Sequence, residues 1–211
     1  MVYLKSPICT LGIFLLTLTS NLTFSQKEVK IGSQTWMSEN LSVKKFQNGD
    51  DILQAQTDDE WEKAGFDQQP AWCYYEMDSK NGKIYGKLYN RYALYDSRGI
   101  APKGWRLPSD KDWEELITFL GGSTVAGSKL KIATAWNENN NQENTHYFNA
   151  LPGGWRDVGF GDLGDSCYWW SVNSNNIEEQ TRYYNLSKNT NEVMNYSTSW
   201  IMGYYVRCVK E

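Results

Sequence analysis

Gly104-Trp105-Arg106-Leu107-Pro108-Ser109-Asp110-Lys111-Asp112-Trp113-Glu114-Glu115-Leu116 carries the strongest helix signature in the chain. Ser109 stands where a helix needs an N-cap, and Asp112, three residues on, fits a capping box. Asp110 and Asp112 place negative charge against the exposed N–H groups of a first turn. Trp113, Leu116, Ile117 and Leu120 recur at i, i+3, i+4 and i+7 and form one apolar stripe. Lys111, Glu114 and Glu115 take the opposite face. Gly121-Gly122 ends the helix, because glycine tolerates the left-handed C′ conformation. Pro108 keeps Leu107 extended, so residues 105–107 run straight into the helix start.

Working outward, Thr57-Asp58-Asp59-Glu60 repeats the capping logic ahead of Trp61 and Ala64, and Gly65 closes that short helix. The two stretches look alike, but their flanks differ, so they read as two separately capped helices. Val29-Lys30-Ile31 and Gln34-Thr35-Trp36-Met37 flank Gly32-Ser33 and predict two short strands across a turn. Residues 70–75, 168–172, 181–186 and 204–209 are rich in aromatic and β-branched side chains and predict further strands. Residues 85–92 also read as a strand, with a helical option from Asn90. Residues 78–83 read as a polar turn, and 137–144 and 157–165 as loops. No Pro- or Ser-rich linker divides the chain. One α+β domain over residues 26–211 is the economical assignment.

Residues 1–25 read as a removable export signal. Lys5 supplies the basic region, residues 8–18 the apolar core, and Thr23 and Ser25 the small residues of a cleavage site. The apolar run is shorter than the ~20 residues of a membrane span. The expected protein is therefore exported, without a membrane span, and resides in the periplasm, on the cell surface or outside. Its net charge of −4 supplies no basic stripe for a nucleic acid. Ten Trp, fourteen Tyr and seven Phe are more aromatics than an ordinary core demands, which leaves some for a binding face. Cys73, Cys167 and Cys208 remain after processing. Their odd number leaves at least one unpaired within the chain, and three single bridges remain open.

The motifs Gln34-Thr35-Trp36-Met37-Ser38-Glu39-Asn40-Leu41, Tyr85-Gly86-Lys87-Leu88-Tyr89-Asn90, Gly104-Trp105-Arg106-Leu107-Pro108-Ser109-Asp110, Ala126-Gly127-Ser128-Lys129-Leu130-Lys131, Ala150-Leu151-Pro152-Gly153-Gly154-Trp155-Arg156, Tyr168-Trp169-Trp170-Ser171 and Val206-Arg207-Cys208-Val209 follow one another in order. In this order they closely resemble the Fibrobacter succinogenes major paralogous domain family, over roughly residues 29–211. That family is bacterial, usually exported or surface-attached, and has no settled activity. Its Gly-Trp-x-Leu-Pro block is also similar to that of formylglycine-generating sulfatase modifiers. The resemblance implies a C-type-lectin-like architecture: short twisted antiparallel strands, two main helices and long loops. Family members often carry a cysteine where this chain has Ala101, so the resemblance implies that a disulfide common in relatives is absent or rewired here. The active cysteine pair of a formylglycine-generating enzyme has no counterpart.

Catalytic signatures are missing. His146 is the single histidine, and no GxSxG nucleophile motif accompanies it. There is no HExxH, no phosphate loop and no GxGxxG after a strand. Asp157, Asp162 and Asp165 share a glycine-containing stretch, but their spacing is not that of an EF-hand, and they read as solvated turn residues without a metal. The expected function is a non-enzymatic recognition module that needs no cofactor and binds a glycan. The alternatives are an adhesion component that binds another surface protein, or an unrecognised hydrolase. Trp36, Trp105, Trp113, Trp169 and Trp170 are assigned to the core, and Trp72, Trp136, Trp155 and Trp200 to loop regions. The predicted ligand-binding set is Trp136 and Trp155 as stacking platforms, with Asn139, Asp157 and Asp162 as polar partners.

Overall fold

The computed structural model describes residues 27–136, 147–173, 181–198 and 201–211. It opens with the hairpin β1 (Glu28–Ile31) and β2 (Gln34–Met37), followed by β3 (Leu53–Gln54), α1 (Asp58–Phe66) and β4 (Ala71–Cys73). Then come α2 (Ser79–Tyr85), β5 (Leu88–Asn90), α3 (Arg91–Tyr95), β6 (Trp105–Arg106), α4 (Asp110–Phe119) and α5 (Ser123–Leu130). The last part is almost all strand: β7 (Gly153–Arg156), β8 (Phe160–Leu163), β9 (Ser166–Ser171), β10 (Arg182–Ser187), β11 (Val193–Ser197), β12 (Gly203–Tyr204) and β13 (Val209–Lys210).

Two sheets result. The smaller runs β1-β2-β13-β6, so the C-terminal strand is inserted between the N-terminal hairpin and the strand that leads into α4. The larger runs β11-β10-β9-β7-β12-β5-β4-β3, with β8 attached to β7. Pairing is antiparallel except at β3–β4 and β7–β9. These facts define an α+β protein.

The anchor helix forms as its sequence predicts. The Ser109 side chain accepts from the Asp112 N–H, and the Asp112 carboxylate accepts from the Ser109 N–H, which is a complete capping box. Arg106 on β6 then grips both oxygens of Asp112 at 2.6 Å, tying strand to helix. Burial raises the cost of the Asp112 charge, but the bonds from Arg106 and Ser109 outweigh it and hold the carboxyl below its ordinary pKa. Thr57 caps α1 in the same manner, but Glu60 reaches back to the N–H of Gln56 instead of its cap residue.

Trp113, Leu116 and Leu120 face the core and are fully buried. Trp113 stacks on Tyr184 at 5.0 Å and meets Trp36 at 4.9 Å and Trp169 at 5.8 Å. A second core gathers Trp72, Trp105, Trp170, Tyr89, Tyr204 and Cys208 on the other side of the large sheet. All five tryptophans assigned to the core are in it. Cys73, Cys167 and Cys208 are buried free thiols, so none of the three open bridges forms among them.

Several local expectations are corrected. Residues 78–83 are not a turn: Asp78 caps the Lys80 N–H, and α2 follows. Helix α1 runs past Gly65 to Phe66, and the left-handed residue after it is Gln68. The stretch 157–165 is not a free loop but the turn and second strand of the β7–β8 hairpin. The expected strand 204–209 is split into β12 and β13, one in each sheet. Residues 137–144 and His146 lie outside the described residues, as do residues 1–25.

Candidate ligand-binding site

The β7–β8 hairpin sets Trp155 opposite Gly161. A Cβ on Gly161 would lie 2.5 Å from the Trp155 ring, so the bare glycine lets the indole lie against β8. Asp162, the next residue, adopts a left-handed φ of 61°. Its Oδ2 accepts from Trp155 Nε1 at 3.0 Å and from the Tyr168 hydroxyl at 2.5 Å. One exposed carboxylate thus locks two half-buried rings from two strands. Burial, followed by the hydrogen bond to Asp162, pushes the Tyr168 phenol well above its ordinary pKa, so it remains a donor.

Strand register extends the aromatic row. Tyr168 on β9 pairs with Asn185 on β10, and Trp170 pairs with Tyr183, which pairs in turn with Tyr196 on β11. Directly paired residues project from the same face of a sheet. Tyr204 from β12 lies beneath, stacked on Tyr168 at 5.4 Å and 4.7 Å from Tyr183. Tyr183 meets Tyr196 at 5.8 Å. The row ends at the surface: Tyr196 is 49% exposed and Val158 at the hairpin tip 53%. On the same face the Oδ1 of buried Asn185 has no hydrogen-bond partner among the described residues. An orphaned acceptor of this kind is uncommon and marks a place where an outside donor would be welcome.

The predicted residues divide sharply. Trp155 and Asp162 are in direct contact. Asp157 sits in the hairpin turn of the same unit, where it accepts from its own Gly159 N–H at 2.9 Å, and its charge reaches Tyr204. Trp136 is not a platform. It is 4% exposed, donates to the Ala150 carbonyl at 2.8 Å and lies under the Lys131 ammonium. Trp72 is likewise buried, with its indole N–H on the Ile52 carbonyl. Asn139 and Trp200 lie outside the described residues. Asp165 pairs with Lys188 at 2.5 Å, so the three aspartates of 157–165 share no partner. Among the described residues no group of three His, Cys, Asp or Glu is placed to hold a metal.

Sequence reasoning missed Tyr168, Tyr183 and Tyr196 as surface residues. A signal was present: in Tyr183-Tyr184 a strand sends the two rings to opposite faces, so only one of them can join the core around Trp113.

The chain matches the model of the Fibrobacter succinogenes major domain over residues 29–210 and belongs to that family. No curated protein and no solved structure matches it.

Proposed function

We propose that this protein is an exported, non-enzymatic recognition module of C-type-lectin-like architecture that binds a glycan on the aromatic face centred on Trp155. The observation that carries the reading is the clamp on Asp162, which presents Trp155 and Tyr168 as ordered, half-exposed rings beside polar groups. Sugar rings offer apolar C–H faces for stacking and hydroxyls for hydrogen bonds, and this face supplies both. Preorganised rings also lose little side-chain freedom on binding. The joining of first and last strands in one sheet, with α4 packed against it, supports the lectin-like arrangement. The export signal over residues 1–25 supports an extracytoplasmic ligand.

A glycan array, followed by titration of the hits, tests this reading. Loss of a central aromatic at a binding site commonly costs more than ~2 kcal/mol. Trp155→Ala should therefore weaken the best glycan at least ~30-fold while leaving the circular dichroism unchanged. An array without a saturable glycan, or a variant that binds like wild type, rejects the site.

A further inference from the structure

A second recess, of about 690 Å³, opens on a different part of the molecule, between residues 38–44, helix α2 and Arg207. Its basic lining is out of keeping with an acidic protein: Lys44, Lys83, Lys87 and Arg207 face it, against Glu39 alone. Glu39 is engaged by Lys27 at 2.6 Å, and its charge also reaches Arg207 without a hydrogen bond to it. Lys44 and Lys83 are exposed on the rim, whereas Lys87 is 2% and Arg207 1% exposed.

Among the described residues the two buried cations have only neutral hydrogen-bond partners. Lys87 Nζ donates to the carbonyl and the hydroxyl of Ser42, both at 2.6 Å, and lies 4.7 Å from the Trp72 ring centre. Arg207 gives Nε and Nη2 to Asn40 Oδ1 and Nη1 to the Phe148 carbonyl, with its guanidinium over the Phe148 ring. Three of its five N–H groups thereby find acceptors among the described residues. Asn40 can give no more, because the same oxygen also takes the Trp169 indole N–H and its amide is held by the Tyr85 carbonyl. Burying an ammonium and a guanidinium without a hydrogen-bonded carboxylate is costly, and ring faces offset only part of the cost. Lys131 is buried with the same kind of neutral partners, two carbonyls and a ring, so what sets Lys87 apart is that it lines an open recess.

We infer that this cleft binds a small oxyanion-bearing ligand, whose carboxylate or phosphate group is the bonded anion that Lys87 and Arg207 lack. The rim lysines draw the anion in, and Tyr74 and Tyr85 line the cleft beside it. This site is separate from the aromatic face and does not depend on the glycan reading.

Glucuronate and inorganic phosphate are the probes, with glucose as the uncharged control. They are titrated into isotope-labelled full-length protein while the amide resonances of Ser42 and Gly86 are followed. Saturable shifts with either anion but not with glucose are expected, and the better anion tells carboxylate from phosphate. The rim variant Lys44→Glu/Lys83→Glu, whose changes are exposed and leave the core intact, should weaken binding at least about tenfold. Lys87→Met should weaken it further, and Trp155→Ala should leave it unchanged. The inference is overturned if neither anion shifts these amides by ~50 mM. It is equally overturned if glucose binds as well, or if the rim variant binds like wild type.

Discussion

Asp162 holds two rings with one oxygen, and that oxygen is where a single substitution says most. Asp162→Asn removes the negative charge and replaces the acceptor that Tyr168 and Trp155 share. The Tyr168 phenol, raised by burial and then by Asp162, should titrate at lower pH in the variant, as read by phenolate absorbance. An unchanged Tyr168 titration would show that burial alone raises it. The buried thiols make a second residue-scale statement. Burial pushes Cys73 and Cys208 up to about 12 from an ordinary 9.0 and raises Cys167 as well. Groups raised in the fold stabilise it below their unfolded pKa and lose that contribution as pH rises through the folded value. Lys87 and Lys131 act in the opposite sense. Burial lowers both from 10.5 to about 8, so their protonation costs the fold stability at neutral pH, and stability rises with pH between those values. The two effects meet, and urea unfolding under reducing conditions should show a maximum at about pH 9, with a decline above it. Buried Tyr89 and Tyr205, raised in the same sense, add to that decline, and stability that climbs steadily to pH 11 would contradict the burial of the thiols and of these phenols. Thiol titration of the processed chain in denaturant without reductant should find all three sulfhydryls free.

At the scale of elements, α4 is the piece whose formation and packing were both legible in sequence. Its cap, its charge placement and its apolar stripe are all local, and each recurs in the structure. Ser109→Ala should cost ~0.5–2 kcal/mol through the lost cap. Trp113→Ala should cost more, ~3–5 kcal/mol, because four aromatic neighbours lose their contact partner. Chemical denaturation measures both, and a Trp113→Ala variant as stable as Ser109→Ala would place the helix at the periphery. Helix α2 was not legible in this way. Its residues, Ser79 to Tyr85, are polar and contain Gly82, which composition assigns to a turn. The structure explains the glycine: a Cβ there would come within 2.1 Å of the Tyr74 ring, so α2 is seated by tertiary contact. The β7–β8 hairpin was misread for the same kind of reason. Gly159, Gly161 and Gly164 signal a loop, yet Gly161 is in a strand because Trp155 occupies the space a side chain would need.

For the whole molecule, export predicts an intact mass whose N-terminus is at Gln26 when the protein is recovered from its host. Recovery of a chain retaining Met1 would remove the extracytoplasmic setting from the proposed function. The sequence by itself determined the α+β class, the two capped helices, the five core tryptophans and the family, since these rest on short-range patterns and ordered motifs. Only the tertiary structure decided which remaining aromatics reach the surface. Trp136 leads into an Asn-rich stretch and Trp155 into a Gly/Asp stretch, and both stretches read as loops, yet one ring is sealed under Lys131 and the other is half-exposed over Gly161. The tertiary structure also brought Tyr168, Tyr183 and Tyr196 into one row, and Lys44, Lys83, Lys87 and Arg207 around one cleft. Burial depends on what the rest of the chain lays over a residue. Strand order and register, which join positions more than a hundred residues apart, set that covering, and no local pattern records it.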